Sequence, residues 1–178
     1  MKLVIFTVVV LFIAMISISG DTAAADGMHI VIRKSARSLK LMNGRRTIKS
    51  YVIALGSTPK GDKEKEGDGK TPEGEFYIFT RNDQSKFYLS LGLSYPNAED
   101  AARGLSAGLI TQEQHDQIID AIAQHAMPLQ KTPLGGEIYI HGGGTAKDWT
   151  DGCVALADTD IKELFDAATV GMRVIIRP

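Results

Sequence analysis

The sequence predicts a single β-rich α+β domain behind an N-terminal export segment. Three observations carry that expectation. β-Branched runs recur on both sides of the chain, two helical patterns interrupt them near the middle, and no repeat or low-complexity linker divides them. The sequence has 178 residues. Roughly 150 of them follow the export segment, enough to bury one real core. Charge is nearly balanced, with 20 Lys and Arg against 21 Asp and Glu, so no global field attracts nucleic acid or acidic lipid.

The chain opens Met1-Lys2 and then runs apolar from Leu3 to Ile18, broken only by Thr7 and Ser17. Ala23-Ala24-Ala25 stands before Asp26, which completes the pattern of a signal peptide over residues 1–25 and an exported domain over 26–178. The expected destination is the periplasm. The apolar run falls short of the roughly 20 residues of a membrane span. The alternative is an uncleaved, wall-facing anchor, the one way this chain would touch a membrane. Ser17-Ile18-Ser19 is a second small-x-small site, so the cleavage point has two candidates.

His29 to Ser35 is β-branched and strand-like, and Leu39 to Met42 follows. Asn43-Gly44 is a hairpin signal, and Arg46 to Leu55 reads as the next strand. Thr71-Pro72-Glu73-Gly74-Glu75-Phe76 turns the chain into a strand over Phe76 to Phe79, and Lys86 to Leu91 is another. Between them, the charged glycine-rich stretch up to Gly69 imitates two ligand sites. Gly69-Lys70-Thr71 lacks the first glycine of a phosphate-binding loop, because Glu64 stands there, and Pro72 and Gly74 prevent the helix that must follow. Asp62, Glu64, Glu66 and Glu73 resemble a calcium loop, but Lys70 occupies a ligand position and no helix flanks it. A solvated charged loop is the expectation.

A helical insertion occupies about residues 97–127. Asn97 to Ala107 suits a short helix, and Thr111-Gln112-Glu113-Gln114 begins a second with a capping box. Ile110, Gln114, Ile118 and Ile122 share one stripe, with Ile119 beside it. The insertion either packs an apolar face on the sheet or walls a groove. Pro133-Leu134-Gly135-Gly136 then breaks the chain before a strand ending at His141. Further on, Asp158 is the expected cap of a helix from Thr159 to about Ala168, and Met172 to Ile176 closes the sheet.

The candidate site lies between these last elements. Cys153 is the only cysteine, so in an exported chain it cannot form an internal disulfide. It is a liability, an intermolecular link or a nucleophile. His141 lies upstream at the end of an apolar run, and Gly142, Gly143, Gly144 and Gly152 crowd the two side chains. A histidine makes a thiol nucleophilic by taking its proton, and glycine lets a substrate backbone approach. The pattern reads as acyl transfer through a thioester, with Cys153 as nucleophile and His141 as base.

Expected supports follow from geometry. The far nitrogen of His141 needs an acceptor: a carbonyl of the Gly142–Gly144 turn, Asp148 or Asp151. The N–H groups of Gly152 and Cys153 are candidate oxyanion donors, and the Thr150 hydroxyl is a third. Trp149 is either a substrate wall or a buried anchor for the loop. His29, His115 and His125 stand on structural elements, and no spacing in the chain suits a metal.

Ile140-His141-Gly142, followed after a loop by Thr150-x-Gly152-Cys153-Val154-x-Leu156, resembles the signature of the L,D-transpeptidase catalytic domain, the YkuD fold. Thr71-Pro72-x-Gly74-x-Phe76 is similar to that family's upstream block. The resemblance runs from about Met28 to the C-terminus. It implies a β-sandwich-like mixed sheet with the helical insertion before the catalytic strand and one helix after the nucleophile, with neither metal nor cofactor. It also implies that Cys153 attacks a peptidoglycan stem peptide between its third residue and D-alanine, and that the acyl group passes to an amine on another stem or a wall-linked protein.

In that resemblance Gly142 supplies the carbonyl that orients the base. Asp151 stands where many members have histidine, and Ala155 where many have arginine or asparagine. The Asp148-to-Cys153 run is more similar to a divergent branch that cuts bonds between peptidoglycan and a bound lipoprotein. Three functions are therefore carried forward: a transpeptidase acting on stem peptides, a thiol hydrolase of the same fold, and a wall-binding protein with an idle cysteine.

Overall fold

A computed structural model describes residues 27–178; the export segment and its cleavage point lie outside the described residues. The elements, in order, are β1 (Met28–Arg33), β2 (Ser38–Asn43), β3 (Arg46–Val52), β4 (Gly74–Ser85), β5 (Tyr88–Leu93), α1 (Ala98–Ser106), α2 (Gln112–Ala123), β6 (Tyr139–His141), β7 (Val154–Ala155), α3 (Asp158–Ala167) and β8 (Arg173–Arg177). The strands form one mixed sheet in the order β3-β2-β1-β8-β4-β5-β6-β7. β1 with β8 and β6 with β7 run parallel; the other pairs are antiparallel.

Alternation sets the register. Ile30 faces Leu41 and Val174, and Ile32 faces Leu39 and Ile176, so one side of the sheet is a continuous apolar row. Those residues are buried with Phe76, Leu91, Ile140, Val154 and the inward stripe of α3, Ile161 and Leu164. The long strand β4 joins the two ends of the sheet, pairing with β8 through Gly74–Tyr77 and with β5 beyond Ile78. Its register shifts between Ile78 and Thr80, where Phe79 is the extra residue and the strand bends.

Most expected elements stand where the periodicity put them. The hairpin turn is Gly44-Arg45, with Asn43 still paired to Arg46 in the ladder. β4 runs on to Ser85, beyond the expected end at Phe79. Arg81 to Gln84 are exposed on a hairpin that projects from the core, so no apolar alternation marked them.

Two local expectations are corrected. Asp158 does not cap α3. The N-cap is Ala157, and Asp158 Oδ1 instead accepts from Gly143 N at 2.8 Å. The second expectation holds only in part: the charged segment before Thr71 is a loop with Lys60, Glu64, Lys65 and Glu66 exposed, but it is not solvated throughout. Lys63 is buried and donates to Asp68 Oδ1 at 2.9 Å, while the Asp68 carboxylate also accepts from the N–H groups of Glu64, Lys65 and Lys70. Buried Lys34 donates to Gly61 O, Thr71 O and Glu73 Oε1 from another direction. Charges that looked like surface residues satisfy backbone groups that a tight loop would otherwise leave unpaired.

The insertion has its own small core of Ala101, Ile110, Ile118 and Leu134. Capping boxes at Asn97 with Asp100 and at Thr111 with Gln114 start its helices. It does not line the main cavity, and it meets the sheet at Tyr77 of β4, whose Oη donates to Ala126 O at 2.6 Å. It grips the segment after it: Leu134 packs on Gly104, where an added Cβ would lie 2.7 Å from its methyl, and Tyr95 Oη donates to Leu134 O at 2.8 Å. Leu134→Ala is expected to destabilise the domain by about 2–5 kcal/mol, as for other buried leucines. Urea unfolding would check this; a midpoint unchanged from wild type would contradict the anchoring role.

Candidate active site

The pairing of β6 with β7 covers two residues, Ile140 with Val154 and His141 with Ala155. Side chains alternate, so burying Ile140 and Val154 in the core turns Tyr139 and His141 to the opposite face. Extending the register by one residue sets Cys153 beside Tyr139. A hydrogen bond agrees with this placement: Tyr139 N donates to Cys153 Sγ at 3.4 Å. The thiol itself donates to Glu137 O at 3.5 Å. His141 and Cys153 line one cavity of about 650 Å³ together with Thr150, Asp151, Trp149 and Phe87.

His141 is held on several sides. Its Nδ1–H donates to Gly142 O at 2.6 Å, which leaves Nε2 as the free acceptor. The ring stacks on Phe87 with centroids 4.4 Å apart and planes 19° from parallel, and it meets the edge of Trp149 at 5.6 Å. Burial pushes the imidazole below its usual proton affinity; the Gly142 carbonyl pulls the other way and the Lys86 ammonium adds to the lowering. Burial also pushes the Cys153 thiol up to about 11, with Asp151 and Glu137 raising it further, against the Tyr139 N–H and Lys63. The resting pair is therefore a neutral thiol and a neutral imidazole. In a pair of this kind a thiolate can arise by transfer of the thiol proton to an imidazole nitrogen, with no need for a standing charge.

The glycines serve a different purpose from the one expected. An added Cβ on Gly142 would lie 2.5 Å from Asp158 Oδ1 and 2.7 Å from Phe87 O. On Gly152, at φ +138°, it would lie 2.8 Å from Lys70 O. Both positions are small because the protein's own backbone fills the space. Gly142, Gly143 and Gly152 do not line the cavity. Gly143 N is bound to Asp158, and Gly152 N donates to Thr150 Oγ1 at 3.2 Å, so the Gly152 N–H is not a free oxyanion donor. The Thr150 hydroxyl donates to Cys153 O at 2.7 Å, shaping the nucleophile's own turn.

Of the expected orienting groups, Gly142 O is the one bound to His141. Asp148 instead takes the Arg37 guanidinium and Leu55 N. Burial opposes its ionisation, but those two donors hold the carboxyl below its usual range. This fixes the loop from Gly142 to Cys153 against residues 54–56, where Thr150 O accepts from Ser57 N. Trp149 is wall and anchor at once, lining the cavity while its Nε1 donates to Gly144 O at 3.1 Å. Asp151 is exposed at the cavity.

Sequence reasoning missed Phe87, Tyr139 and Glu137, which touch His141 or the thiol, and the role of Thr71. Fully buried Thr71 accepts from Gly56 N at 2.9 Å and sits 3.4 Å from Cys153 O, tying the Thr71-Pro72 block to the nucleophile's turn. Phe87 falls in the expected Lys86 to Leu91 strand and alternates with Leu89 and Leu91, but that local pattern does not point to His141. Tyr139 could have been found from its alternation with His141.

A family model, the YkuD L,D-transpeptidase catalytic domain, matches residues 27–176. YafK of Escherichia coli strain K12, whose L,D-transpeptidase designation is provisional, is 36% identical over 84 residues, covering 43% of this chain and 34% of YafK. Among solved structures, the helical cell shape determining protein Pgp2 of Campylobacter jejuni superposes with a TM-score of 0.61 at 22% identity, covering 89% of this chain and 52% of Pgp2. Bd1075 of Bdellovibrio bacteriovorus gives 0.57 at 22% identity, over 88% of this chain and 50% of Bd1075. An L,D-transpeptidase of Xylanimonas cellulosilytica gives 0.50 at 14% identity, over 86% of this chain and 61% of that one. The chain thus spans about half the length of Pgp2 and Bd1075, and its match covers about a third of YafK. The structural likenesses establish a shared fold.

The buried imidazole also sets a pH dependence. Its proton affinity is lowered from the ordinary value of 6.5, so below that pH the unfolded chain takes a proton the folded chain refuses. Stability from this group is full above about 6.5 and is lost as pH falls. Asp100 has the opposite slope: desolvation raises its folded pKa to about 6, so its contribution fades as pH rises through that value. Subtracting His141→Gln from wild type isolates the histidine. Urea unfolding is expected to give wild type a larger stability loss than His141→Gln between about pH 7.5 and 5.5; equal losses would mean the ring protonates freely in the fold.

Proposed function

Because the chain belongs to the L,D-transpeptidase catalytic-domain family, matched over residues 27–176, we propose that it is a cysteine acyltransferase acting on peptidoglycan stem peptides outside the cytoplasmic membrane. The observation that carries this is the placement of His141 and Cys153 on one face of adjacent strands, open to one cavity, with Nδ1 of the histidine bound to Gly142 O. Nothing in the proposed reaction calls for a metal or a cofactor.

The proposed cycle begins when Cys153 Sγ gives its proton to His141 Nε2 and attacks the carbonyl carbon of the third stem residue. The tetrahedral intermediate collapses as the C–N bond to D-alanine breaks, and the imidazolium protonates the departing amine. A thioester on Cys153 remains. An amine of another stem, or of a wall-linked protein, attacks it, gives a proton to His141 and releases the thiol. Developing charge on the carbonyl oxygen needs N–H donors. Gly152 N is occupied; Tyr139 N, already directed at the sulfur, is the better candidate, beside Cys153 N.

One observation favours a second outcome. Asp151 presents an exposed carboxylate at the cavity, in the position where many members carry histidine, and the cavity is broad enough to admit water. Water in place of the amine makes the same thioester chemistry a hydrolysis, of a stem or of a peptidoglycan–lipoprotein bond. A part in setting cell shape is included in the proposal on the likeness to Pgp2, which is described as a helical cell shape determining protein.

The test incubates the protein and its Cys153→Ala variant with disaccharide-tetrapeptides and with lipoprotein-bearing peptidoglycan, followed by mass spectrometry. The expected result is dimers joined through third residues with free D-alanine, reduced on the order of 10⁴-fold or more in Cys153→Ala. Tripeptides or freed lipoprotein without dimers would identify the hydrolase. Full activity in Cys153→Ala would remove the thiol mechanism, and no product from either substrate would leave the wall-binding protein.

A further inference from the structure

The turn between β4 and β5 is the two residues Lys86 and Phe87, and it reaches across to the imidazole of His141. Phe87 is half-buried at the tip of a hairpin whose preceding residues are exposed, and its ring packs on His141 and against Trp149, whose ring centroid lies 5.4 Å away. Its backbone is held on both sides: Phe87 N donates to Ser85 Oγ at 3.2 Å, and Phe87 O accepts from Gly142 N at 3.1 Å. Tyr88 follows at φ +75°, in the left-handed region that a bulky residue normally avoids. The hairpin is thus fastened directly to the residue after His141, with the aromatic ring laid on the imidazole.

One hydrogen bond fixes one atom of a ring and leaves its plane free to swing. Nδ1 of His141 is fixed by Gly142 O; the plane is fixed by the 4.4 Å stack on Phe87 and the edge of Trp149. We propose that Phe87 is a positioning residue for His141, holding the ring plane so that Nε2 stays directed into the cavity, and that the Lys86 ammonium opposes the positive charge the ring gains when it takes the thiol proton. The Lys86 Nζ lies 4.9 Å from the centroid of the same Phe87 ring. The aromatic face favours an imidazolium; the ammonium disfavours it. Together they keep the proton on His141 transient.

The other ionisable groups near the ring are accounted for. Asp158, from α3, is bound to Gly143 N; Asp148, beyond Trp149, is bound to Arg37; Asp151 and Cys153 approach from the start of β7. Among the described residues Lys86 has no paired carboxylate, and neither has Lys131, which lines the same cavity.

This inference rests on His141 acting as the base, and the test separates the two. Alkylation of Cys153 in the full chain by iodoacetamide is followed by intact mass across pH, for wild type, Phe87→Leu, Phe87→Tyr, Lys86→Gln and His141→Gln, with His141 titrated by its ring-proton NMR signal. Phe87→Leu is expected to slow alkylation near neutrality about fivefold to tenfold, the scale of one such contact, with Phe87→Tyr within about twofold of wild type. Lys86→Gln is expected to move the His141 midpoint upward. A change in folding alone would not move that midpoint selectively. If Phe87→Leu does not fold, Lys86→Gln still decides. Wild-type rates and midpoint in Phe87→Leu and Lys86→Gln, with His141→Gln slow, would overturn the positioning role while keeping the base. A wild-type rate in His141→Gln would overturn both.

Discussion

A pairing of two residues determines the rest of the site. Ile140 with Val154, and His141 with Ala155, bring together segments separated by the loop that contains Trp149. Because the strand period is two, the same contact that buries two apolar side chains turns the histidine and cysteine to the other face. A slip of one residue would put the reactive groups in the core. The short pairing is strengthened from outside: Ala54 N donates to Ala155 O and Ala155 N to Ala54 O, each at 2.9 Å, while Leu156 N donates to His141 O at 2.8 Å.

The loops around it are fastened by carboxylates rather than by apolar packing. Asp148 takes Leu55 N, Asp158 takes Gly143 N, Asp62 takes Glu73 N, and Asp68 takes the N–H groups of Glu64, Lys65 and Lys70. Each such charge-assisted bond contributes about 1.5–3 kcal/mol and satisfies a donor that an irregular buried loop would leave open. That explains how a chain with balanced charge and few aromatics holds a wide cavity in shape. Burial disfavours a charge on either His141 or Cys153.

The insertion acts on the site indirectly. Its small core seizes Leu134, and the segment from Gln130 to Glu137 is held by Gln130 Oε1 accepting from Glu137 N at 2.6 Å. Glu137 O then receives the thiol hydrogen bond. Arg103, on α1, donates to Lys63 O and pairs with Asp62 and Asp100, linking the insertion to a second residue that lines the cavity. A helical pair outside the main cavity can therefore position residues that line it. At 22% identity Pgp2 and Bd1075 share the fold, and differences in what fills the groove are a matter for each chain's own side chains.

The sequence by itself determined the strands and helices that bury regular apolar patterns, and it determined which two side chains could do thiol chemistry. Ile30 and Ile32, the stripe of α3, the capping box at Thr111, and the Gly44 turn are local or periodic, so each leaves its mark within a few residues. His141 and Cys153 were legible because their types are rare and their spacing distinctive. Only the tertiary structure decided what the surrounding residues do. Asp158 reads as a helix cap but bonds a glycine 15 positions earlier, and Lys63 reads as a surface charge but is buried. Gly142 and Gly152 suggest room for a substrate, yet the protein's own oxygens occupy that space. Phe87 alternates with Leu89 and Leu91, yet nothing local marks its partner, which is 54 positions away, two strands across the sheet from β4. Long-range contacts of single polar or aromatic side chains carry no period, and their meaning appears only when the chain has closed.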